Sequence, residues 1–226
     1  MDRSELKKLS KSQLKGHWKV PVLLTLIYGA IVFAISITQN CLYSGKASFL
    51  FLLVTLAIEV WAVVGFPNFY LKFIQNSDEV KFKDFFVSKS ILLKSLGYVL
   101  FMSLIGALIG VIIGFSIVFS ITGSTWVLGL VILALVAITI VFSLSIAMTA
   151  YILVDKSGTK VFEAIRLSMK MMKGYKWEFL VLYLSFIGWA LLCIITLGIG
   201  YLWLAPYMTL TFANFYKELD KKYSDK

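Results

Sequence analysis

One carboxylate inside an apolar stretch is the residue of this sequence best suited to chemistry. Glu59 lies in the run LAIEVWAVVGFP, at the midpoint of an apolar segment that ends at Tyr70. Ionised carboxylates at this depth in a bilayer are costly, so we expect Glu59 to face the interior of a helix bundle and to be a functional candidate. Three roles stay open: a neutral, hydrogen-bonded structural group, a site of proton- or cation-coupled transport, and a contact to another protein's helix.

Other patterns that carry chemistry are missing from the sequence. It contains one histidine, His17, and two cysteines, which match no metal-binding spacing. No HExxH, GxSxG or phosphate-binding glycine loop occurs. We therefore expect no enzymatic activity, no bound metal and no cofactor.

Three glycines, Gly106, Gly110 and Gly114, follow one another at four-residue steps in the run GALIGVIIG. On a helix this spacing forms one face that lets a second helix backbone approach closely. The pattern predicts helix packing, either within the chain or between copies of it, and specifies no chemistry.

The composition is that of a membrane protein. Of the 226 residues, 60% are hydrophobic and 15% are charged, against about 45–50% and about 25% in soluble domains. Apolar runs of about 20 residues can span a bilayer as helices. Six such runs occur: Val20–Thr38, Phe49–Tyr70, Ser95–Ile121, Trp126–Val154, Phe179–Thr196 and Ile199–Tyr216. The expected fold is all-α, a six-helix transmembrane bundle made of three hairpins.

The basic residues predict the orientation of the chain. All but one of the 22, the exception being Lys46, fall in the N-terminal segment, in two alternate loops and after the last run. Since basic residues of short loops stay in the cytoplasm, both termini are expected to be cytoplasmic. The net charge of +10 then follows from topology and from attraction to anionic lipid headgroups, and we expect no nucleic-acid partner.

The sequence contains an internal repeat. The segment LSKSQLKGHWK at Leu9–Lys19 resembles LSMKMMKGYKW at Leu167–Trp177, and each leads directly into a hydrophobic hairpin. A more degenerate copy, DFFVSKSILLKSLGYV, precedes the middle hairpin. The interpretation is a single membrane domain of three units, at about 1–70, 78–154 and 157–216, followed by a charged cytoplasmic tail at 217–226.

Each unit is predicted to begin with a basic amphipathic interfacial helix. In the third unit Phe162, Ile165, Met169 and Met172 recur at helical spacing, with basic residues on the other side. Such a helix lies in the headgroup region with its apolar stripe inward. The candidate contacts to lipid or to a partner are Lys15, Trp18, Arg166, Lys170, Lys173 and Trp177. A simpler alternative is that these segments only fix the topology.

Two hypotheses about function follow. The first is a non-enzymatic membrane protein whose interfacial helices organise lipid or bind a membrane partner, which includes a second copy of the chain. The second is a small transporter or exporter, or an immunity-type protein, that works around Glu59.

The chain resembles the bacterial family known as domain of unknown function 975. The resemblance rests on the opening RSELKKLSKSQLKGHWK and on the segment from Glu163 to Tyr216, which begins EAIRLSMKMMKGYKW and ends LAPYMTLTFANFY. A weaker likeness exists to the membrane domain attached to some glycerophosphodiester phosphodiesterases. The family resemblance implies a six-span protein of the bacterial cytoplasmic membrane and implies no activity.

Overall fold

The chain is helical throughout the part that the structure describes. The computed structural model describes residues 2–41, 45–122 and 125–225, apart from some side chains beside the two gaps. The helices, numbered in chain order, are α1 Arg3–Leu14, α2 Lys19–Cys41, α3 Gly45–Gln75, α4 Lys89–Thr122, α5 Thr125–Ile146, α6 Thr149–Asp155, α7 Val161–Met171, α8 Lys176–Leu184, α9 Ile187–Ile195 and α10 Tyr201–Ser224. A 3-10 turn, Phe82–Phe85, lies between α3 and α4.

Five helical segments of the described chain are long and apolar enough to cross a membrane. They are Lys19–Gln39, Phe49–Gln75, Lys89–Phe115, Gly129–Asp155 and Lys176–Ile195. The predicted sixth run falls within α10, which does not meet the same criterion. Its tyrosine, threonine and asparagine side chains lower its hydropathy, and Thr211, Asn214 and Tyr216 are buried inside the protein. Length and apolarity thus support five crossings and leave the sixth as a proposal.

Two of the predicted continuous spans are each divided into two helices. α5 and α6 are separated at Ala147 and Met148, and α8 and α9 are separated at Ser185 and Phe186. Neither break contains proline, the usual cause of a kink. At the second break the ammonium group of Lys7, on α1, donates a hydrogen bond to the carbonyl of Ser185 at 3.1 Å. A side chain from another helix therefore binds a backbone carbonyl next to this break.

The tightly packed core lies at one end of the bundle, where α1, the 3-10 turn, α7 and the last turns of α10 meet. We call this the basic end. Among the described side chains, burial in α3 begins only at Val60, and burial in α4 ends at Val99. In the most apolar windows of the five spans, 6% to 22% of the residues are buried. Lipid is as apolar as these side chains, so the far halves of the spans gain little by packing together.

Three short segments pack on the ends of longer helices: α1 on α10, the 3-10 turn on α3, and α7 on α5 and α6. The Asn214 amide of α10 donates to the Ser10 hydroxyl of α1 at 2.9 Å. The Asn68 amide of α3 donates to the carbonyl of Asp84, in the 3-10 turn, at 2.7 Å. Ser168 of α7 hydrogen-bonds backbone groups around the break between α5 and α6. Because α1 packs on α10, the series closes into a ring.

The long helices follow the same cyclic order. Contacts join α3 with α4, α5 with α8, and α10 with α2. The ends of the outgoing helices also meet one another. α3 contacts both α6 and α10, and the Tyr151 ring of α6 stacks on the Tyr216 ring of α10 with 5.4 Å between ring centroids.

Two details differ from the sequence-based expectations. The middle copy of the repeat, Asp84–Val99, forms no separate α-helix, because it begins in the 3-10 turn and from Lys89 onward is the start of α4. Within the turn, Asp84 accepts a hydrogen bond from the Lys81 amide at 2.9 Å. The charged tail continues α10 as far as Ser224. Leu219 is buried within it, and Asp220 forms an ion pair of 2.8 Å with Lys156, so this part of the tail is packed against the bundle.

Candidate functional site

Glu59 lies on the wall of a cavity that opens to the side of the bundle. The cavity has a volume of about 350 Å³ and lies between α2, α3 and α4. The Glu59 side chain is exposed, and its polar neighbours are Tyr28 of α2 and Tyr98 and Ser103 of α4. The remaining lining is apolar: Ala62, Val63, Val99 and Met102.

The position of Glu59 differs from the sequence-based expectation that it would face the bundle interior. In the part of the chain that the structure describes, its carboxylate makes no hydrogen bond and no ion pair. The reason is the location of the core, since α3 becomes buried only from Val60 onward. Glu59 therefore lies at the edge of the packed region, beside a cavity that reaches the lipid-facing surface.

The glycine stripe on α4 makes no close helix contact. A methyl group built on Gly106, Gly110 or Gly114 meets nothing within 4 Å, and all three glycines are exposed. Among the residues that the structure describes, the expected packing of this face within the chain is therefore not found. Packing against another copy of the chain stays a prediction.

The predicted apolar stripe of α7 does not lie on one face towards lipid. Ile165 and Met172 are buried in the protein, whereas Phe162 and Met169 are exposed. α7 packs on α5 and α6, so the protein core occupies the side that was expected to contact headgroups. The physical reason is that α6 leaves an apolar surface beside α7, and its own Ile152 and Leu153 are fully buried.

The basic candidates of α7 remain on the surface. Arg166, Lys170 and Lys173 are exposed, and Trp177, at the start of α8, is 71% exposed. In the matching N-terminal segment Lys15 is exposed and Trp18 is half-buried. Gly16 and Gly174, which follow α1 and α7, both adopt positive φ, at 89° and 91°. Such a backbone favours glycine and ends both helices at equivalent points.

The comparisons with known proteins identify a family. The family described as "Protein of unknown function (DUF975)" matches residues 1–223. The chain belongs to the DUF975 family. Comparison with curated proteins and with solved structures found no match.

This DUF975 chain also has an apolar groove that the sequence-based reasoning missed. The groove has a volume of about 370 Å³ and lies between α1, α9 and α10. Three tryptophans, Trp18, Trp189 and Trp203, line it together with Lys11 of α1. The signal available in the sequence was the presence of tryptophan in or next to three separate apolar runs, but only the tertiary structure brings these residues together.

A second feature of the DUF975 chain that was missed is a polar network where α6 meets α10. The Tyr216 hydroxyl donates to Asp155 at 2.9 Å, and the Lys217 ammonium donates to the other oxygen of the same carboxylate at 2.9 Å. Tyr70, which ends the apolar run of α3 as Tyr216 ends that of α10, is also fully buried. Its hydroxyl has no hydrogen-bond partner in the described part of the chain. The network is suited to joining two helices, and we assign it no chemistry.

Within the described residues, no group of three or more histidine, cysteine, aspartate or glutamate side chains is arranged to hold a metal ion. What the surface offers is therefore a lone carboxylate beside a cavity, an exposed basic face on α7, and a tryptophan-lined groove with a lysine beside it. These features are suited to binding.

Proposed function

We propose that this chain crosses the membrane six times, with both termini on the cytoplasmic side of a bacterial plasma membrane. Supporting this proposal, the Asn214 amide near the end of α10 hydrogen-bonds both Ser10 and Gln13 of α1, at 2.9 and 2.7 Å. Ends that touch lie on one side of the membrane, which requires an even number of crossings. Reporter fusions at the two termini test this, and reporters on opposite sides would contradict it.

We also propose that the three hairpins are repeated units arranged around a pseudo-threefold axis. The cyclic order of the helix contacts supports this, as does the burial of matched residues in the two clearer copies. Ser10 and Ser168 are both fully buried, and so are Leu14 and Met172. The repeat would explain why α1, remote in sequence from α10, packs on it as α7 packs on α6.

The function we propose is non-enzymatic binding of anionic phospholipid at the basic end. The observation that carries the proposal is that the inner side of α7 is held in the protein core while Arg166, Lys170 and Lys173 remain exposed. A helix anchored in this way presents its charges from a rigid surface. Basic residues near an anionic membrane surface each contribute about 1 kcal/mol of attraction.

The tryptophan-lined groove would extend the same function. Lys11 beside the groove has the charge to bind a phosphate, and Trp18, Trp189 and Trp203 provide an apolar surface for an acyl chain. Tryptophan is enriched at the level of lipid headgroups. On this proposal the chain binds a phospholipid by its headgroup and its tail at once, and thereby organises the lipid around the basic end.

Thermal unfolding of the purified protein tests the lipid proposal, because a ligand that binds only the folded state raises the unfolding temperature. We expect phosphatidylglycerol to raise that temperature and phosphatidylcholine to raise it much less. In the triple variant Arg166→Gln, Lys170→Gln, Lys173→Gln, the two lipids should raise the unfolding temperature by more nearly equal amounts.

A control variant separates a specific surface from net charge. Lys8→Gln, Lys89→Gln and Lys221→Gln together change the charge by the same amount at other exposed positions. This triple variant should keep most of the phosphatidylglycerol effect. The proposal would be contradicted if both triple variants lost the phosphatidylglycerol effect on the unfolding temperature to the same extent. It would also be contradicted if both lipids raised the unfolding temperature of the wild-type protein equally.

A second candidate function is transport of a small cargo past Glu59. The observation that favours it is the cavity beside an exposed, unpaired carboxylate within the most apolar part of α3. If Glu59 acts in transport, Glu59→Gln should abolish flux in reconstituted vesicles while the folded protein reaches the membrane at a normal level. Normal flux in that variant would remove this candidate.

A further inference from the structure

We propose that the cavity beside Glu59 binds a lipophilic organic cation that enters it sideways from the bilayer. The proposal rests on the cavity of the second candidate function, and it names the class of ligand. It does not require transport, because a molecule can be bound at this position without being moved across the membrane.

The first argument is charge. Glu59 is the only aspartate, glutamate, lysine or arginine in the six apolar runs, so no basic side chain of the chain lies at matching depth to neutralise it. In the described part of the chain its carboxylate has neither an ion pair nor a hydrogen bond. A carboxylate in a medium of low dielectric constant attracts a cation strongly. A ligand that carries a positive charge would therefore find an unpaired carboxylate at this position.

The second argument is the chemistry of the cavity wall. The phenol rings of Tyr28 and Tyr98 lie on the two helices that flank Glu59. Aromatic rings attract cations through their quadrupole, and recognition of organic cations commonly combines such rings with a carboxylate. The hydroxyl of Ser103 adds a polar group at the exposed rim of the same cavity.

The third argument is the apolar part of the lining. Ala62, Val63, Val99 and Met102 supply the rest of the surface, which suits the hydrocarbon body of an amphiphile. The volume of about 350 Å³ lies in the range of about 300–1,000 Å³ that is typical of small-molecule sites. A hydrated metal ion would leave this apolar surface unused.

A second copy of the chain fits the cavity less well than a small cation does. The glycine stripe begins at Gly106, three residues beyond Ser103, and offers a surface on which another helix could lie. A second copy of this chain, however, has no lysine or arginine in any apolar run, so its spans bring no positive charge to Glu59. The unpaired carboxylate favours a cationic ligand.

Equilibrium binding of radiolabelled tetraphenylphosphonium to the full-length protein tests the proposal. With the protein in nanodiscs of neutral lipid, we expect saturable binding at one site. Glu59→Gln should weaken the affinity by about tenfold or more, because it removes the negative charge that attracts the cation in a medium of low dielectric constant. Glu79→Gln, which removes a carboxylate from the exposed loop after α3, should leave the affinity unchanged.

Two further measurements keep the test decisive. A neutral competitor of similar shape, triphenylphosphine oxide, should displace the probe poorly, because it carries no net positive charge. Should Glu59→Gln prove to be unstable, Ser103→Trp offers an independent variant that fills the rim of the cavity from an exposed position, and it should reduce binding by a similar factor.

The outcomes that would overturn the proposal are distinct from those that bear on transport. Three outcomes would each refute the cation site. The wild-type protein shows no saturable binding of the probe, the folded Glu59→Gln protein binds the probe with the wild-type affinity, or the neutral competitor displaces the probe as well as unlabelled tetraphenylphosphonium does. Self-association that depends on Glu59, without any binding of the probe, would assign the cavity to a protein partner instead. Binding without flux would support the cation site and refute only transport.

Discussion

The hydroxyl of Ser168 accepts a hydrogen bond from the backbone amide of Met148 at 3.2 Å. The same hydroxyl donates to the carbonyl of Ser145 at 2.9 Å. Met148 lies at the break between α5 and α6, so one buried side chain of α7 satisfies backbone groups on both sides of that break. These two hydrogen bonds join α7 to the end of α5 and the start of α6.

Ser168→Ala should therefore destabilise the protein. The substitution leaves the buried amide of Met148 without its partner, at a cost of about 1–3 kcal/mol, and it should lower the temperature of thermal unfolding in detergent. Ser12→Ala is the matched control, since Ser12 is exposed and its hydroxyl bonds only within α1. Equal unfolding temperatures for the two variants would contradict the role of Ser168.

Gly65→Ala should displace the 3-10 turn from α3. A methyl group at Gly65 would lie 2.7 Å from a ring carbon of Phe85 and 2.8 Å from its carbonyl oxygen, so one of the two segments must move. Overpacking of this kind costs about 1–3 kcal/mol, which a lower unfolding temperature would report. Gly29→Ala, where a methyl group meets nothing within 4 Å, should have no such effect; a similar loss there would argue against a specific clash.

The two buried tyrosines that end the apolar runs of α3 and α10, Tyr70 and Tyr216, should respond differently to removal of the hydroxyl. Tyr216→Phe breaks the hydrogen bond to Asp155 and should cost roughly 1–3 kcal/mol in the free energy of unfolding. Tyr70→Phe removes a hydroxyl that is buried without a partner among the described residues, so it should be neutral or stabilising. Chemical denaturation of both variants checks this, and the prediction fails if Tyr70→Phe is the more damaging change.

The ion pair between Lys72 and Asp84 should make stability depend on pH in the acid range. The Lys72 ammonium donates to Asp84 at 2.8 Å, and this hydrogen bond, followed by that from the Lys81 amide, lowers the pKa of Asp84 below its ordinary value of 3.8. A carboxyl group with a lower pKa in the folded state stabilises that state fully above its unfolded pKa, and the contribution is lost as the pH falls below it.

Unfolding temperatures measured from pH 6 downward, on the wild-type protein and on Asp84→Asn, check this sign. The wild-type protein should lose stability below about pH 4, and the variant should lose less over the same interval. If the unfolding temperatures of the two proteins changed with pH in parallel, Asp84 would not contribute to the pH dependence of stability.

Gly106→Leu should leave the stability of the single chain nearly unchanged. The glycine is exposed and a methyl group there meets nothing within 4 Å, so a larger side chain projects away from the described neighbours. The unfolding temperature at high detergent-to-protein ratio measures this, and a marked fall would reveal packing within the chain. Crosslinking in membranes, compared between this variant and the wild-type protein, reports separately on contact between copies.

Much of the local structure could be predicted from the sequence. The apolar runs indicated the long helices, and the repeated segment indicated a basic helix ahead of the first and the fifth run, where α1 and α7 lie. The breaks at Met148 and Ser185 were not predicted, because no proline marks them in the sequence, although the Ser185 hydroxyl also bonds locally to the carbonyl of Leu182. They are held by side chains that are remote in sequence, Ser168 and Lys7.

For the candidate sites, too, some features could be predicted from the sequence and others could not. Glu59 could be identified from its residue type alone, since a carboxylate in an apolar run is rare and costly. The direction in which the Glu59 side chain points could not be predicted, because a helix that is apolar on all sides has no apolar stripe to show which face is packed. The exposed lysines of α7 were predicted from periodicity, but the burial of Ile165 and Met172 depends on the surface that α6 presents.

By itself, the sequence determined that this is an all-helical membrane protein of the DUF975 family with a basic side, because apolarity and charge act locally and can be counted. Only the tertiary structure decided that the core lies at the basic end, that α1 closes the ring on α10, and that Glu59 faces a cavity. The physical reason is that packing between helices in lipid is driven by shape and by a few hydrogen bonds rather than by hydrophobicity. Those contacts join residues such as Ser10 and Asn214, which are separated by almost the whole chain.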